Sequence, residues 1–237
     1  MATLARFIAE KYKDLIQSGI GKSMTKPSVL ILGAGLMQRP AILSAKELGF
    51  RAVVVDANPN AESVPLADEF KEIDLKAKDE ILNFAEELTE NSNLKGIFTA
   101  GTDFSASVSY AGEKLGFSCH SYEAALNATI KPRMRKCFER RDVPSPKYFS
   151  LSGAEITEKN VLSAVEKLSF PCVVKPADNM GARGCRMIRS MDEAWRSVKI
   201  AAGNSRTSTV ILEEYMEGPE FSIDAIVYNG TLTITGF

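Results

Sequence analysis

Short continuous apolar runs alternate along this chain with segments whose apolar positions recur at helical spacing, and the pattern changes character near Tyr122. Val29 to Leu32, Ala52 to Val55 and Gly96 to Thr99 are unbroken apolar runs and are predicted to be buried strands. Helices are predicted between and after them, over Pro40 to Leu48, Lys78 to Leu88 and Ser105 to Leu115. Strands that are apolar on both sides, alternating with helices, imply a parallel sheet covered on both faces. Ahead of this region Leu4, Phe7, Ile8, Tyr12, Leu15 and Ile16 fall at helical spacing, so an amphipathic helix is expected to end near Gly19 and Gly21. Residues 1–26 are read as an extension that docks on the body or on a partner, and residues 27–121 as an α/β, Rossmann-like domain.

From Tyr122 the elements follow a different order. A helix containing Met134, Cys137 and Phe138 runs towards Val143-Pro144-Ser145-Pro146, whose prolines disfavour its continuation. A helix over Val161 to Leu168, strands over Phe170 to Lys175 and Cys185 to Ile188, a helix over Met191 to Ala202 and a strand over Thr209 to Glu213 are then expected. Glu220 to Tyr228 and Thr231 to Gly236 flank Asn229-Gly230, a pair suited to a two-residue type I′ turn, and read as a hairpin. Residues 122–237 are therefore expected to form an α+β unit, an antiparallel sheet with helices on one side.

Composition narrows the setting only slightly. A formal charge of −1 argues against a general nucleic-acid or anionic-membrane surface, so any anion must be held by local geometry. No apolar run approaches a transmembrane length, and Arg6, Glu10, Lys11, Lys13 and Asp14 interrupt the N-terminus where a signal peptide would need an uncharged core. Cys119, Cys137, Cys172 and Cys185 lack metal-type spacing and read as free thiols in a reducing, cytoplasmic setting.

The candidate chemistry is concentrated in the second unit. Lys175 ends an apolar strand, and a lysine leaving a buried strand must reach water or an anion. The loop after it carries Gly181 and Gly184, which permit backbone conformations that turn successive N–H groups towards one anion. Asn179, Ala182 and Arg183 lie among them, and the arginine adds matching charge. The apolar strand Val210 to Leu212 then runs into Glu213, Glu214, Tyr215 and Met216, where a strand end can offer a donor and an acceptor to an adenine edge. Glu213 could accept from the exocyclic amine, and Glu220 could accept from ribose hydroxyls. A solvated lysine, a plain hairpin loop and surface acids are the alternatives when each feature is taken alone.

In the first domain Gly33-Ala34-Gly35 follows a strand and precedes a helix, the position of a pyrophosphate turn, and Asp56 ends the next strand. Gln38 stands where a dinucleotide fingerprint needs its third glycine, which disfavours a nicotinamide site. Thr102 and Asp103 follow another strand and belong to the same sheet edge, where open α/β sheets take ligands. Gly33, Gly35, Gln38, Thr102 and Asp103 are candidates for part of an acceptor-substrate site. A structural turn at the glycines and a helix cap at Thr102 or Asp103 remain the alternatives. His120, beside Cys119 at the end of an expected short strand, reads as structural.

Taken in order, these segments resemble the ATP-grasp superfamily of ligases, in particular the group containing carbamoyl phosphate synthetase large subunits, purine-pathway carboxylate ligases and amino-acid ligases. Leu30 to Gly35 and Val55-Asp56-Ala57-Asn58-Pro59 resemble its Rossmann-like pre-ATP-grasp domain. Lys131, in Ile130-Lys131-Pro132-Arg133-Met134-Arg135, is similar to the family's first phosphate-contacting lysine, with Ile130 where aspartate is usual. Lys175 matches the second lysine, residues 178–184 the flexible loop, Glu213 through Met216 the adenine hinge and Glu220 the ribose acid. Met180 and Arg183 depart from the loop's usual serine and glycine.

The resemblance implies ATP and Mg2+, small-molecule carboxylate and amine substrates, and an acyl phosphate intermediate. No nucleic-acid or membrane partner is expected, and a homo-oligomer is left open. It also implies that the metal-binding acid and asparagine and a catalytic arginine come from strands after the hairpin. No metal ligand is therefore assigned within the chain, and the ATP-grasp domain over 122–237 is expected to be incomplete and inactive alone. A nucleotide-binding module without catalysis is the alternative.

Overall fold

Ser28–Leu32 form β1 because every side chain on either side of the strand finds cover. Leu30 and Leu32 face one core, Ile31 faces the other, and all three are fully buried. The same holds for β2 (Arg51–Asp56), whose Val53 and Val55 join the first core and whose Ala52 and Val54 join the second. The computed structural model describes residues 26–237, and the expected N-terminal helix lies outside them. β1 pairs in parallel with both β2 and β4 (Leu94–Thr99), giving a parallel sheet as predicted. Helix α1 (Arg39–Glu47) contributes Ile42 and Ala45 to one face. Helices α2 (Lys78–Asn91) and α3 (Ser105–Lys114) bury Ile81, Phe84, Leu88, Val108 and Ala111 against the other.

One strand of this sheet was not expected. β3 (Glu69–Glu72) extends the order to β3-β2-β1-β4 by pairing in parallel with β2. It is short, mostly polar and at the edge, where one side of the ladder meets solvent and no apolar run is required. Ion pairs compensate: Glu69 meets Arg51, and Lys71 meets Glu87 at 3.2 Å while its ammonium sits over the Phe84 ring. The short strand expected before His120 is absent; residues 117–121 form no strand.

Chain contacts divide the molecule into two units, one reaching Ala125 and including Ala225–Gly236, the other formed by Leu126–Asp224 with Phe237. The single helix expected after Tyr122 is two, α4 (Tyr122–Thr129) and α5 (Lys131–Glu139). The break at Ile130 has a local cause. Pro132 pushes its predecessor towards extended geometry and suits the first turn of a new helix.

In the second unit, β5 (Tyr148–Ser152), β6 (Cys172–Pro176), β7 (Arg186–Ile188) and β8 (Thr209–Glu214) form an antiparallel sheet in the order β5-β8-β6-β7. Cys172, Val174, Val210 and Leu212 point to one side. There they pack with Val161 and Val165 of α6 (Glu158–Leu168) and Ala194 and Val198 of α7 (Met191–Gly203). Thr157 caps α6 by accepting from the Asn160 amide at 3.2 Å. All four cysteines are free thiols, and burial pushes the Cys172 thiol up to about 11. β9 (Asp224–Tyr228) and β10 (Thr231–Gly236) form the expected hairpin, with Asn229 and Gly230 at φ 48° and 75°. They make a separate two-stranded sheet and do not extend the four-stranded one.

Candidate functional site

The face of the second sheet turned away from α6 and α7 carries the polar residues. Side chains alternate along a strand, so Val173, Lys175, Ile211 and Glu213 share this face by register: Val173 lies opposite Glu213 and Lys175 opposite Ile211. Glu213 is therefore a diagonal neighbour of Lys175, and the ammonium lies 2.5 Å from its Oε2. The other oxygen, Oε1, accepts from Nε of Arg135 at 2.7 Å. Only 4% of the Glu213 side chain is exposed, against 17% for Arg135 and 25% for Lys175. Burial by itself would push the Glu213 carboxyl up, but the hydrogen bonds and charges of Arg135 and Lys175 outweigh it and hold it below the usual carboxylate range.

Helix α5 brings the first lysine to the same place. Its first amide, Lys131 N–H, donates to the Ala177 carbonyl at the end of β6 (3.0 Å), and Lys131 Nζ donates to the Asn179 carbonyl at 2.6 Å. Burial, helped by the charge of Lys175 nearby, lowers the Lys131 pKa. Arg135 lies one turn further along α5, on the same side as Lys131.

The loop from Asp178 to Cys185 is built for close backbone approach. Gly181, Ala182 and Gly184 have φ of 66°, 55° and 74°, a conformation alanine rarely adopts. At Gly184 a Cβ would lie 2.8 Å from Asn204 Cβ and 3.0 Å from Pro176 Cγ, so only glycine fits. The loop's first residues are tied to the turn before β8. Asp178, nearly buried, accepts from the Arg206 and Thr207 amides and from the hydroxyls of Ser205 and Thr207, at 2.9–3.0 Å. Asn179 Nδ2 donates to the Asn204 carbonyl at 2.9 Å. Burial opposes ionisation of Asp178, yet those four donors hold its pKa below the ordinary value.

Lys131, Lys175, Asn179 and Glu213 are thus gathered on one face, and Gly181, Ala182 and Gly184 shape the loop beside it. Arg183 is exposed, donating to the Met180 carbonyl at 3.2 Å, and Glu220 is exposed outside the hydrogen-bonded cluster. The Glu214 and Tyr215 amides already donate to the carbonyls of Lys147 and Pro171, so the next amide available to an adenine edge is that of Met216. Tyr215 and Met216 side chains are exposed. Arg135 and Asp178 had no assigned role from sequence. The i, i+4 spacing from Lys131 was the signal for the first, and the second carried none beyond its loop position.

In the first unit, Gln38 explains why the glycine turn lacks a third glycine. Its buried amide accepts from the Gly35 N–H at 3.0 Å and donates to the Ala100 carbonyl, filling the space beside Gly33 and joining the two candidate loops. Asp56 is committed to the same turn, accepting from the Ala34 and Asn58 amides at 2.8 and 2.9 Å. Thr102 bonds the Thr99 hydroxyl (2.7 Å) and accepts from the Phe104 amide, while Asp103 is partly buried. The Gln38→Ala variant should lose about 1–3 kcal/mol of stability, because two backbone groups lose a buried partner. Chemical denaturation checks this, and an unchanged midpoint would show that the bridge is dispensable.

A polar face framed by two lysines and a glycine-bearing loop, on a sheet whose other face is packed by two helices, is the arrangement of the ATP-grasp fold, which this chain shares with the proteins it resembles. Residues 137–237 match the family model described as D-ala D-ala ligase C-terminus. A formate-dependent phosphoribosylglycinamide formyltransferase of Methanocaldococcus jannaschii is 28% identical over 204 residues, covering 83% of this chain and 50% of that protein. The crystal structure of phosphoribosylglycinamide synthetase from Anaerococcus prevotii superposes with a TM-score of 0.61 at 27% identity, covering 88% of this chain and 50% of that one. The ADP complex of purK, an N5-carboxyaminoimidazole ribonucleotide synthetase, shares the fold with a TM-score of 0.64 at 19% identity, over 87% of this chain and 56% of that one. The chain spans about half the length of the curated relatives it matches.

Proposed function

We propose that the Leu126–Asp224 unit binds ATP for an ATP-dependent carboxylate–amine ligase that works through an acyl phosphate. The observation that carries this reading is the pair of partly buried ammonium groups, Lys131 and Lys175, beside a loop whose backbone is held in left-handed turns. In such a reaction a carboxylate oxygen attacks the γ-phosphorus of ATP, the bond to ADP breaks, and an amine then attacks the acyl carbon and releases phosphate. Lys131 and Lys175 would neutralise phosphate charge, and the 178–185 loop would exclude water. Glu213 and the strand end at Met216 would orient the base, with Glu220 available to the ribose.

The loops containing Gly33, Gly35 and Gln38 and Thr102 and Asp103 are proposed as part of the acceptor site, with Gln38 bridging them. Acceptors in the class of small carboxylates and amines are supported by relatives named for formate-dependent formyl transfer.

Magnesium belongs to this chemistry as a neutraliser of triphosphate charge, and it requires oxygen donors. The residues at this face do not fit it. Asp178 is used by four donors, Glu213 by two cations, and among the described residues no group of three or more His, Cys, Asp or Glu side chains could hold a metal ion.

Calorimetric titration of the chain with ATP and with ADP tests the nucleotide site. Saturable binding is expected, weakened about tenfold by Lys131→Met through loss of one charge-assisted contact. No heat of binding at millimolar nucleotide would overturn the reading.

A further inference from the structure

Every cation of the nucleotide face has a protein partner in this structure. Lys131 rests on the Asn179 carbonyl, and Lys175 and Arg135 divide the two oxygens of Glu213 between them. A triphosphate that draws Lys175 away from Glu213 leaves a carboxylate 4% exposed with half of its partners gone. An uncompensated buried charge is strongly unfavourable, so the exchange needs a second cation that does not leave. Arg135 is that cation. It comes from α5 rather than from the sheet, it is itself largely buried, and its Nε bonds Oε1, the oxygen that Lys175 does not use.

We propose that Arg135 is a positioning residue for base recognition, resting on the nucleotide reading above: it fixes Glu213 through Oε1, so that Oε2, vacated when Lys175 moves to phosphate, accepts the exocyclic amine of adenine. The consequence is a coupling between the two ends of the ligand. Phosphate draws Lys175 away, and the freed oxygen then reads the base. A purine with a 6-oxo group in place of the amine would put two acceptors face to face and gain nothing from the exchange.

The test compares ATP with inosine triphosphate by calorimetry on the full chain, for the wild type, Arg135→Met and Arg135→Lys, each checked for folding by circular dichroism and melting. The wild type is expected to prefer ATP by about tenfold, the worth of one hydrogen bond to a charged group. Arg135→Met should weaken ATP by about tenfold or more while leaving inosine triphosphate much less affected, so that the preference collapses. Arg135→Lys should restore most of the preference, since it returns a charge to the same oxygen.

Equal weakening of both nucleotides in Arg135→Met, or an unchanged preference, would overturn the proposal, because a merely structural arginine does not discriminate between bases. A wild type that binds both nucleotides equally would do so too. If Arg135→Met does not fold, Arg135→Gln and Arg135→Lys carry the same comparison: a preference graded with the charge on residue 135 supports the role, and a flat one overturns it. Failure of the wild type to bind any nucleotide is a different outcome, which removes the nucleotide reading itself.

Discussion

The Lys175→Met variant is expected to bind ATP about a hundredfold more weakly than the wild type while binding adenosine no worse. Two effects act in opposite directions on the two ligands. For ATP, the methionine removes a charged donor from the proposed, partly buried phosphate site, a loss on the order of 3 kcal/mol. For adenosine, which brings no phosphate, Lys175 is a competitor, because its ammonium occupies the Glu213 oxygen that the base would use. The fold should tolerate the change, since Arg135 still holds the carboxylate through its other oxygen. Parallel titrations with ATP and adenosine, alongside melting curves, separate these effects. An equal loss for both ligands would mean that the variant damages the unit as a whole, and an unchanged ATP affinity would remove Lys175 from the phosphate site.

The second large effect is expected at Asp178. In the Asp178→Asn variant one carboxylate oxygen becomes an amide that faces donors, and about 2–4 kcal/mol of stability should be lost, as expected when hydrogen bonds to a buried charge are broken. The pH dependence gives this loss a signature. The Asp178 carboxyl titrates below its ordinary value of 3.8 in the folded chain. Its contribution is therefore fully present above that value and is lost as pH falls through the lower, folded value. The wild type and the variant should differ most near neutrality and converge in acid. Denaturation midpoints measured at neutral pH and again below pH 3.8 decide the matter, and a gap that stays constant would assign the loss to packing rather than to charge. Nucleotide affinity should fall as well, because Asp178 and Asn179 anchor the loop's first residues to the 204–207 turn.

What could be read from the sequence follows from how local each signal is. β1 and β2 are legible because burial on both faces demands an unbroken apolar run, whereas β3 is polar and held by ion pairs to residues far along the chain. Lys175 and Glu213 interrupt apolar strands, which marks them as side chains that need a partner. Arg135 sits on a helix rich in basic residues, and its i, i+4 spacing places it on the Lys131 side, but its partner is 78 positions away, so only the tertiary fold shows what it holds. The 122–139 stretch reads as one helix from its apolar spacing and is two, because Pro132 pushes Ile130 and Lys131 towards a new helix start, a local signal that the spacing alone does not carry. The hairpin's turn was readable from Asn229-Gly230, but turn residues say nothing about which sheet the hairpin joins.

The register of β6 and β8 sorts the positions of the second unit by parity. Even-numbered Cys172, Val174, Val210 and Leu212 pack on the helices, and odd-numbered Lys175 and Glu213 stand on the opposite, polar face, where the proposed ligand would lie. A substitution at an even position of either strand is therefore felt first by the helix-packed core, and one at an odd position by the polar face. An insertion of one residue within either strand would turn every position beyond it to the opposite face.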